Sequence, residues 1–576
     1  MADTTPSKAA STAATEEQRS YDEKHASEHE IVDQTAQEGV RIAEGMAMSW
    51  SRGSLIAVFV CMWLIYFVNA MRSSLAANLT PFVLSAFESH ALIPVVDVVA
   101  SICAASVYMP LAKVLNLWDR SLGFSCMIAL STLGMILMAA CRTFEVYAAA
   151  NVFYSIGFAG VIFSVDVMTA DISTMKSRGL AFAFTSSPFL ITAFGGPKAA
   201  ETIYEDNWRW GFGAWAIVLP AVAVPMIVLM QMGKKKARES GRLTVADKGV
   251  VDGQRRGFMY YFDEFDIVGV FLLLAGFVLF LLPFTIAASS EDTWRSAHII
   301  AMLVLGFILI ICFALWERMG AKTPFVPWHL LRARNVLGAC CLSACYQISY
   351  YCWNSYFTSY LQVVYDVSIS NAGYIASIFD VVNGLNLFLV GFLIRRTGHF
   401  KWILVAAVPL YILGQALLIY FRQPTFPIGY TIMCQIFMAL AGGAMILGQQ
   451  VSVMSVCEHN DVAAVLAMLN LFGNLGGGLG NSISGAIWTN TLPQKLQKLL
   501  PESVAGDWST IYDSLDVQLS YPMGSDERNA IIASYAGTQR LMLIAGTCVM
   551  VLGVICVFVI KDVNVKKVHQ VKGMVL

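Results

Sequence analysis

Charge is scarce in this chain. Only 13% of its 576 residues are Asp, Glu, Lys or Arg, about half the share usual in a soluble domain. The formal net charge is -1. A water-soluble globule is excluded, and no basic stripe with interleaved aromatics offers itself to nucleic acid. The thirteen cysteines lie almost wholly in apolar stretches (Cys61, Cys103, Cys340, Cys341, Cys345), and the long segment Asn490–Gln539 has none, so no disulfide framework is expected. No His or Cys spacing reads as a metal site. A P-loop is missing too, because the run Leu475–Gly480, LGGGLG, lacks the Lys-Ser/Thr ending. No nucleophile–base pair suggests an enzyme. The first fifty residues have no apolar run, which rules out a cleavable signal peptide and predicts a disordered tail.

Apolar length is what the chain has. It is 57% hydrophobic with a mean hydropathy of +0.63, and about fourteen stretches are long enough to cross about 30 Å of hydrocarbon. The fold class is therefore an all-α polytopic membrane protein. Alternating the spans puts Arg52, Lys113, Arg120, Lys176, Arg178, Lys234–Lys236, Arg332, Arg395, Arg396 and Lys401 on one side. The positive-inside rule makes that side, and both termini, cytoplasmic. The expected organisation is a tail (1–50), a six-helix bundle (51–232) and a basic linker (233–265). Two inserted helices (266–317) and a linker (318–334) follow. A second six-helix bundle (335–561) carries a long external loop (490–538) and ends in a cytoplasmic tail (562–576).

Two spans follow one plan. Leu92–Arg120 carries Asp97 a short way in and closes on Lys113 and Arg120, whereas Asn371–Arg396 carries Asp380 at similar depth and closes on Arg395 and Arg396. Two copies of a charged span point to a transporter built from related halves. A carboxylate in a low-dielectric interior favours its protonated form and is a natural sensor of an ion gradient, so Asp97, Asp380 and Asp166 are candidate proton-coupling groups. Arg72 falls at about the depth of Asp97; the two either pair and lock their spans or serve a cavity. Tyr66 and Asn69 accompany Arg72. Span nine is aromatic beyond packing needs, with Tyr346, Tyr350 and Trp353 on one helical face beside Asn354; Tyr356 and Tyr360, the outermost, fit a cavity wall and an interfacial belt equally. Asn383 and Gln450 complete the candidate substrate-binding set. The external loop, with Trp508, Tyr512, Tyr521, Arg528 and Tyr535, is read as a lid. Asn78-Leu79-Thr80 is a glycosylation sequon close to the membrane.

Asp119-Arg120 and, in the second half, Gly391 with Arg395-Arg396 resemble the gating loops of the major facilitator superfamily. Phe265–Gly269, Leu281–Thr285, Ser359–Val364, His459–Ala463, Gly485–Asn490 and Tyr521–Ser525 are more specific. They are similar to the fungal, fourteen-span siderophore–iron transporters, most of all to carriers of triacetylfusarinine-type hydroxamates. The resemblance, which runs from about Arg52 to Lys561, implies uptake of a ferric siderophore by proton symport across the plasma membrane. It implies a monomer among lipids, with alternating access and no cofactor, the iron travelling inside the chelate. Competing readings are a fourteen-span drug–proton antiporter, of whose span-five motif only Gly196-Pro197 remains, a glutathione–proton exchanger, and a nutrient sensor that does not transport.

Overall fold

The computed structural model describes residues 37–240, 250–251, 254–255, 257–287 and 293–568. Most of the expected N-terminal tail, much of the basic linker and the last eight residues lie outside that set. Helix α1 (Glu38–Ser49) precedes the first bundle, so the tail reading fails over this part. Its buried stripe of Val40, Ile42, Ala43 and Met46 packs on the bundle, and Gly39 lies directly against the Leu115 and Asn116 carbonyls.

The first half comprises α2 (Arg52–Ser85), α3 (Ile93–Leu117), α4 (Arg120–Ala140), α5 (Phe144–Asp171), α6 (Arg178–Ser186), α7 (Pro188–Asp206) and α8 (Trp210–Glu239). Three of these starts are written in short polar side chains that take up orphan backbone N–H groups: Ser51 accepts from Ser54, Asp119 from Ser121 and Thr143 from Val146. Span five is split into α6 and α7 by Pro188, whose ring cannot continue the i→i−4 ladder. The lysine run Lys234–Lys236 belongs to α8 rather than to a linker. A small hairpin pairs β1 (Val250–Val251) with β2 (Gln254–Arg255).

After α9 (Phe258–Glu264), the inserted pair is α10 (Ile267–Leu281), continued by α11 (Pro283–Ile286), and α12 (Ala297–Met319). Asp266, at φ 45°, caps α10 at Gly269 N and accepts from Trp316 Nε1 at 2.7 Å. This is the structural meaning of the Phe265–Gly269 motif. The inserted pair is peripheral: only 11% of the apolar window of α12 is buried.

The second half follows a short α13 (Trp328–Leu331). It comprises α14 (Arg334–Asn354), α15 (Phe357–Tyr365), α16 (Ile369–Thr397), α17 (Lys401–Phe421), α18 (Ile428–Met454), α19 (Val462–Leu499), α20 (Trp508–Asp513), α21 (Leu515–Ser520) and α22 (Asp526–Val559). Among the described residues thirteen helices are long and apolar enough to cross a membrane. The fourteenth span, α14–α15, falls outside that set because tyrosines, Gln347 and Asn354 occupy it. It packs against α19 and α22 within the bundle. The external loop is shorter than expected, since α19 runs to Leu499 and α22 begins at Asp526. Arg528 and Tyr535 therefore sit on α22. Gly398, at φ 81°, ends α16 in the left-handed region that glycine adopts freely.

The halves meet along α3–α19 and along α6/α7–α16. Glycines make this seam close. A Cβ on Gly373 would sit 2.5 Å from Pro197, on Gly384 2.7 Å from Leu190, and on Gly391 3.1 Å from the Gly179–Leu180 backbone. Gly478 meets Ile102 and Gly485 meets Pro94 in the same way, which is the small-residue approach that packs membrane helices. Within the first half, Gly157 of α5 would meet Ser131 N at 2.2 Å. Backbone cannot yield there, while the Leu190 side chain can. Gly157→Val is expected to cost about 1–3 kcal/mol or more by overpacking, and Gly384→Ala far less. Thermal melting of the purified protein checks the order; equal melting temperatures would contradict it.

Candidate functional site

Two faces of the bundle differ. One, called here the basic face, carries Arg120, Arg178, Lys234, Arg395 and Arg396; the other carries the α20–α21 lid. Both bridge the halves. At the basic face Asn116 Nδ2 donates to Asn460 O at 3.2 Å, Gly179 abuts Gly391, and Glu44 of α1 lies 3.8 Å from His459. At the lid face Leu515 N donates to Ser85 Oγ (3.1 Å), Tyr204 OH to Asp516 Oδ1 (3.2 Å) and Tyr356 OH to Ala91 O (2.8 Å).

Between these ties lie two cavities. The first, nearer the lid, has a volume of about 470 Å³ and is walled by Arg72, Asn78, Asp97, Tyr350, Tyr351 and Asn354, together with Phe189 and Asp380. The second, about 300 Å³, is walled by Tyr66, Asp166, Asn383, Gln450 and Asn470, again with Phe189 and Asp380. All three sequence-proposed carboxylates thus face the interior seam. Asp166 accepts a 2.6 Å hydrogen bond from Tyr66 OH. Neither Asp97 nor Asp380 has a protein partner among the described residues.

Arg72 does not pair with Asp97. Its guanidinium lies 3.2 Å above the Tyr154 ring centroid and reaches Met138 Sδ at 3.0 Å, so cation–π attraction takes the place of a counter-ion. Of the expected binding set, Tyr66, Arg72, Tyr350, Asn354, Asn383 and Gln450 line a cavity, whereas Asn69, Tyr346 and Trp353 line neither. Asn69 turns back to the Ile65 carbonyl at 2.9 Å. Tyr346 packs edge-on to Tyr411. Trp353, with Phe357 and Tyr360, cages the buried guanidinium of Arg422 at 5.2, 4.4 and 4.5 Å. Helical spacing put the aromatic face in register but could not say which neighbour it met. Tyr356 and Tyr360 are buried, not a surface belt: Tyr356 stacks on Trp488 at 3.7 Å. Asn78 is also buried, its Nδ2 bonded to Ser74 O, which closes the sequon to glycosylation. Phe189 and Asn470 were not singled out from the sequence, and Tyr351 counted only as one of the many aromatics of span nine. Asn470 is an amide within an apolar span and gave that signal.

The gating motifs are rigid corners. Arg120 donates to Asp171 (3.1 Å) and to Asn116 Oδ1, while Asp119 caps α4 and pairs with Lys234 at 2.5 Å. Arg395 and Arg396 stay exposed and form no ion pair among the described residues. In the lid, Trp508, Tyr512 and Tyr521 are half-buried, and Arg528 donates to the Gln362, Val363 and Gln518 carbonyls. Tyr535 OH donates to Gln518 Oε1 at 2.6 Å. Those contacts hold the lid to the second half, and Ser85 and Tyr204 tie it to the first.

The residues 62–481 match the model of the Major Facilitator Superfamily. The chain belongs to that superfamily, in its branch of siderochrome and siderophore iron transporters, and is a multi-pass membrane transporter rather than an enzyme. It is 57% identical to the MFS siderochrome iron transporter D of Aspergillus fumigatus, over 94% of this chain and 91% of that protein. It is 47% identical to the siderophore iron transporter mirB of Emericella nidulans, over 96% and 91%. The fold resembles the inward-facing, unoccupied crystal structure of a bacterial homolog of the human lysosomal transporter Spinster, with TM-score 0.53, 16% identity and coverage of 88% of this chain and 97% of that one.

Two outcomes are expected from this geometry. Trp353→Ala removes a face from beneath a buried cation and should cost about 3–5 kcal/mol of stability. Tyr350→Ala alters a cavity wall and should raise the half-saturating solute concentration with a smaller drop in melting temperature; the reverse pattern would refute the assignment. In the lid, burial and then the nearby Glu88 push Asp513 up to about 6. The docked lid therefore binds this proton more tightly than the undocked one. Docking is strongest below the ordinary aspartate range and weakens as pH rises through about 6. Hydrogen exchange across 508–520, after division by its intrinsic rate at each pH, should lose protection between pH 5 and 7, and Asp513→Asn should remove that loss.

Proposed function

We propose that this protein imports a ferric siderophore of the hydroxamate class across the plasma membrane, by proton symport and alternating access. The observation that carries the reading is the pair of seam cavities, in which Asp97, Asp166 and Asp380 face interior space walled by both halves. The names of its relatives, siderochrome and siderophore iron transporters, supply the solute class. A trihydroxamate chelate wraps its own metal, so it calls for aromatic and amide walls and for no resident cofactor; Tyr350, Tyr351, Asn354 and Asn383 are such groups. The basic face is cytoplasmic on this reading, which puts both termini inside and the lid outside. Protonation of Asp97 and Asp380 removes the cost of carrying bare charge through the closed state. Opposed bundles then rock about the glycine seam, presenting the chelate and the protons to the cytoplasm together.

Uptake of radiolabelled iron, offered to cells on a panel of chelators with and without a protonophore, tests this. Hydroxamates should be taken up and the protonophore should abolish accumulation. Asp380→Asn and Asp97→Asn should reach the cell surface yet lose concentrative uptake. Full accumulation in both variants would reject proton coupling at these carboxylates.

A further inference from the structure

Among the described residues only two line both cavities: Phe189 of α7 and Asp380 of α16. They stand on helices from opposite halves, held at short range because Gly384, one turn beyond Asp380, leaves room for Leu190, the neighbour of Phe189. Phe189 also occupies a special place in its own span. Helix α6 ends at Ser186 and α7 begins at Pro188. Across the break the backbone bonds shorten to i→i−3, Ser187 N to Phe184 O and Leu190 N to Ser187 O. Trp63 Nε1 of α2 pins the break by donating to Ser187 Oγ at 2.9 Å. A proline break in a spanning helix is a place where the chain can bend without losing further backbone bonds.

We propose that Phe189 is the septum of the transport path: its ring divides the lid-side cavity from the basic-side cavity, and Asp380 beside it exchanges protons with one cavity at a time. This rests on the import reading above for the identity of the solute. A chelate leaving the lid-side cavity meets this ring before the basic-side cavity, so it passes only when the ring swings aside and the two volumes merge. Bending at Ser187–Pro188 moves the ring and the α7 wall together. The same displacement uncovers Asp380, which stays on α16, to the water of one cavity while closing it to the other. Phe189 is thus a positioning residue that ties the solute step to the proton step. It carries no charge and binds no proton itself.

The test uses the full-length protein reconstituted in vesicles with a pH-sensitive dye inside and an imposed proton gradient. Phe189→Ala should admit protons without any chelate and should lower the iron carried per proton when ferric triacetylfusarinine C is supplied. Phe189→Leu, which refills most of the volume, should restore tightness. Phe189→Trp should slow chelate entry while remaining proton-tight. The inference is overturned if Phe189→Ala melts and transports as wild type with no leak, or if Phe189→Ala and Phe189→Leu both lose transport without leaking, as a packing residue would. Failure of the wild-type protein to move the chelate sinks the import reading instead; the leak measurement needs no chelate and judges the septum by itself.

Discussion

Hydrocarbon offers no hydrogen bonds, and every polar group in this molecule is arranged around that fact. The backbone answers it with helices whose ends are capped by Ser51, Asp119, Thr143, Ser368 and Ser525. Side chains have fewer options. Ser49, Thr169, Ser164 and Asn69 turn back to the carbonyl one turn earlier. Arg72 and Arg422 rest on aromatic faces. Asp97 and Asp380 do neither and are left at the seam between halves, where the cavities are. These residues are thus of two kinds, those satisfied on their own helix or on a ring and those left facing the cavities.

The seam itself depends on what is missing from it. Gly373, Gly384 and Gly391 on α16, and Gly478 and Gly485 on α19, remove the side chains that would hold the bundles apart. Close contact gives two rigid bodies a smooth bearing, while the cavities open where larger side chains stop the approach. Ties at the two faces are of different kinds. The lid face is joined by hydrogen bonds through the short helix α21 and through Tyr356. The basic face is joined by Asn116–Asn460, by glycine packing and by α1 beneath it. Asymmetric closures on a symmetric pair of bundles fit a carrier that must respond to different solutions on its two sides.

The motifs that carry the family resemblance turn out to be corners and caps. Asp266 starts the inserted pair and fixes Trp316; Gly524 and Ser525 turn the chain into α22; the Gln362 and Val363 carbonyls receive Arg528; Trp488 supports Tyr356. None of these touches a cavity. They set where α14, α15 and the lid stand, and so shape the walls at one remove.

Sequence alone determined the helical class, the two-half plan and the three interior carboxylates, because hydropathy and the cost of an intramembrane charge act on each residue without reference to its neighbours. Tertiary structure decided the rest. Which side of span nine meets the cavity and which meets Arg422, whether Arg72 pairs with a carboxylate or a ring, and how far α19 and α22 extend into the external loop all depend on a second helix. Phe189 left no sign at all in the chain. A phenylalanine in an apolar span looks like any other until the helix facing it, and the proline break beneath it, are in place.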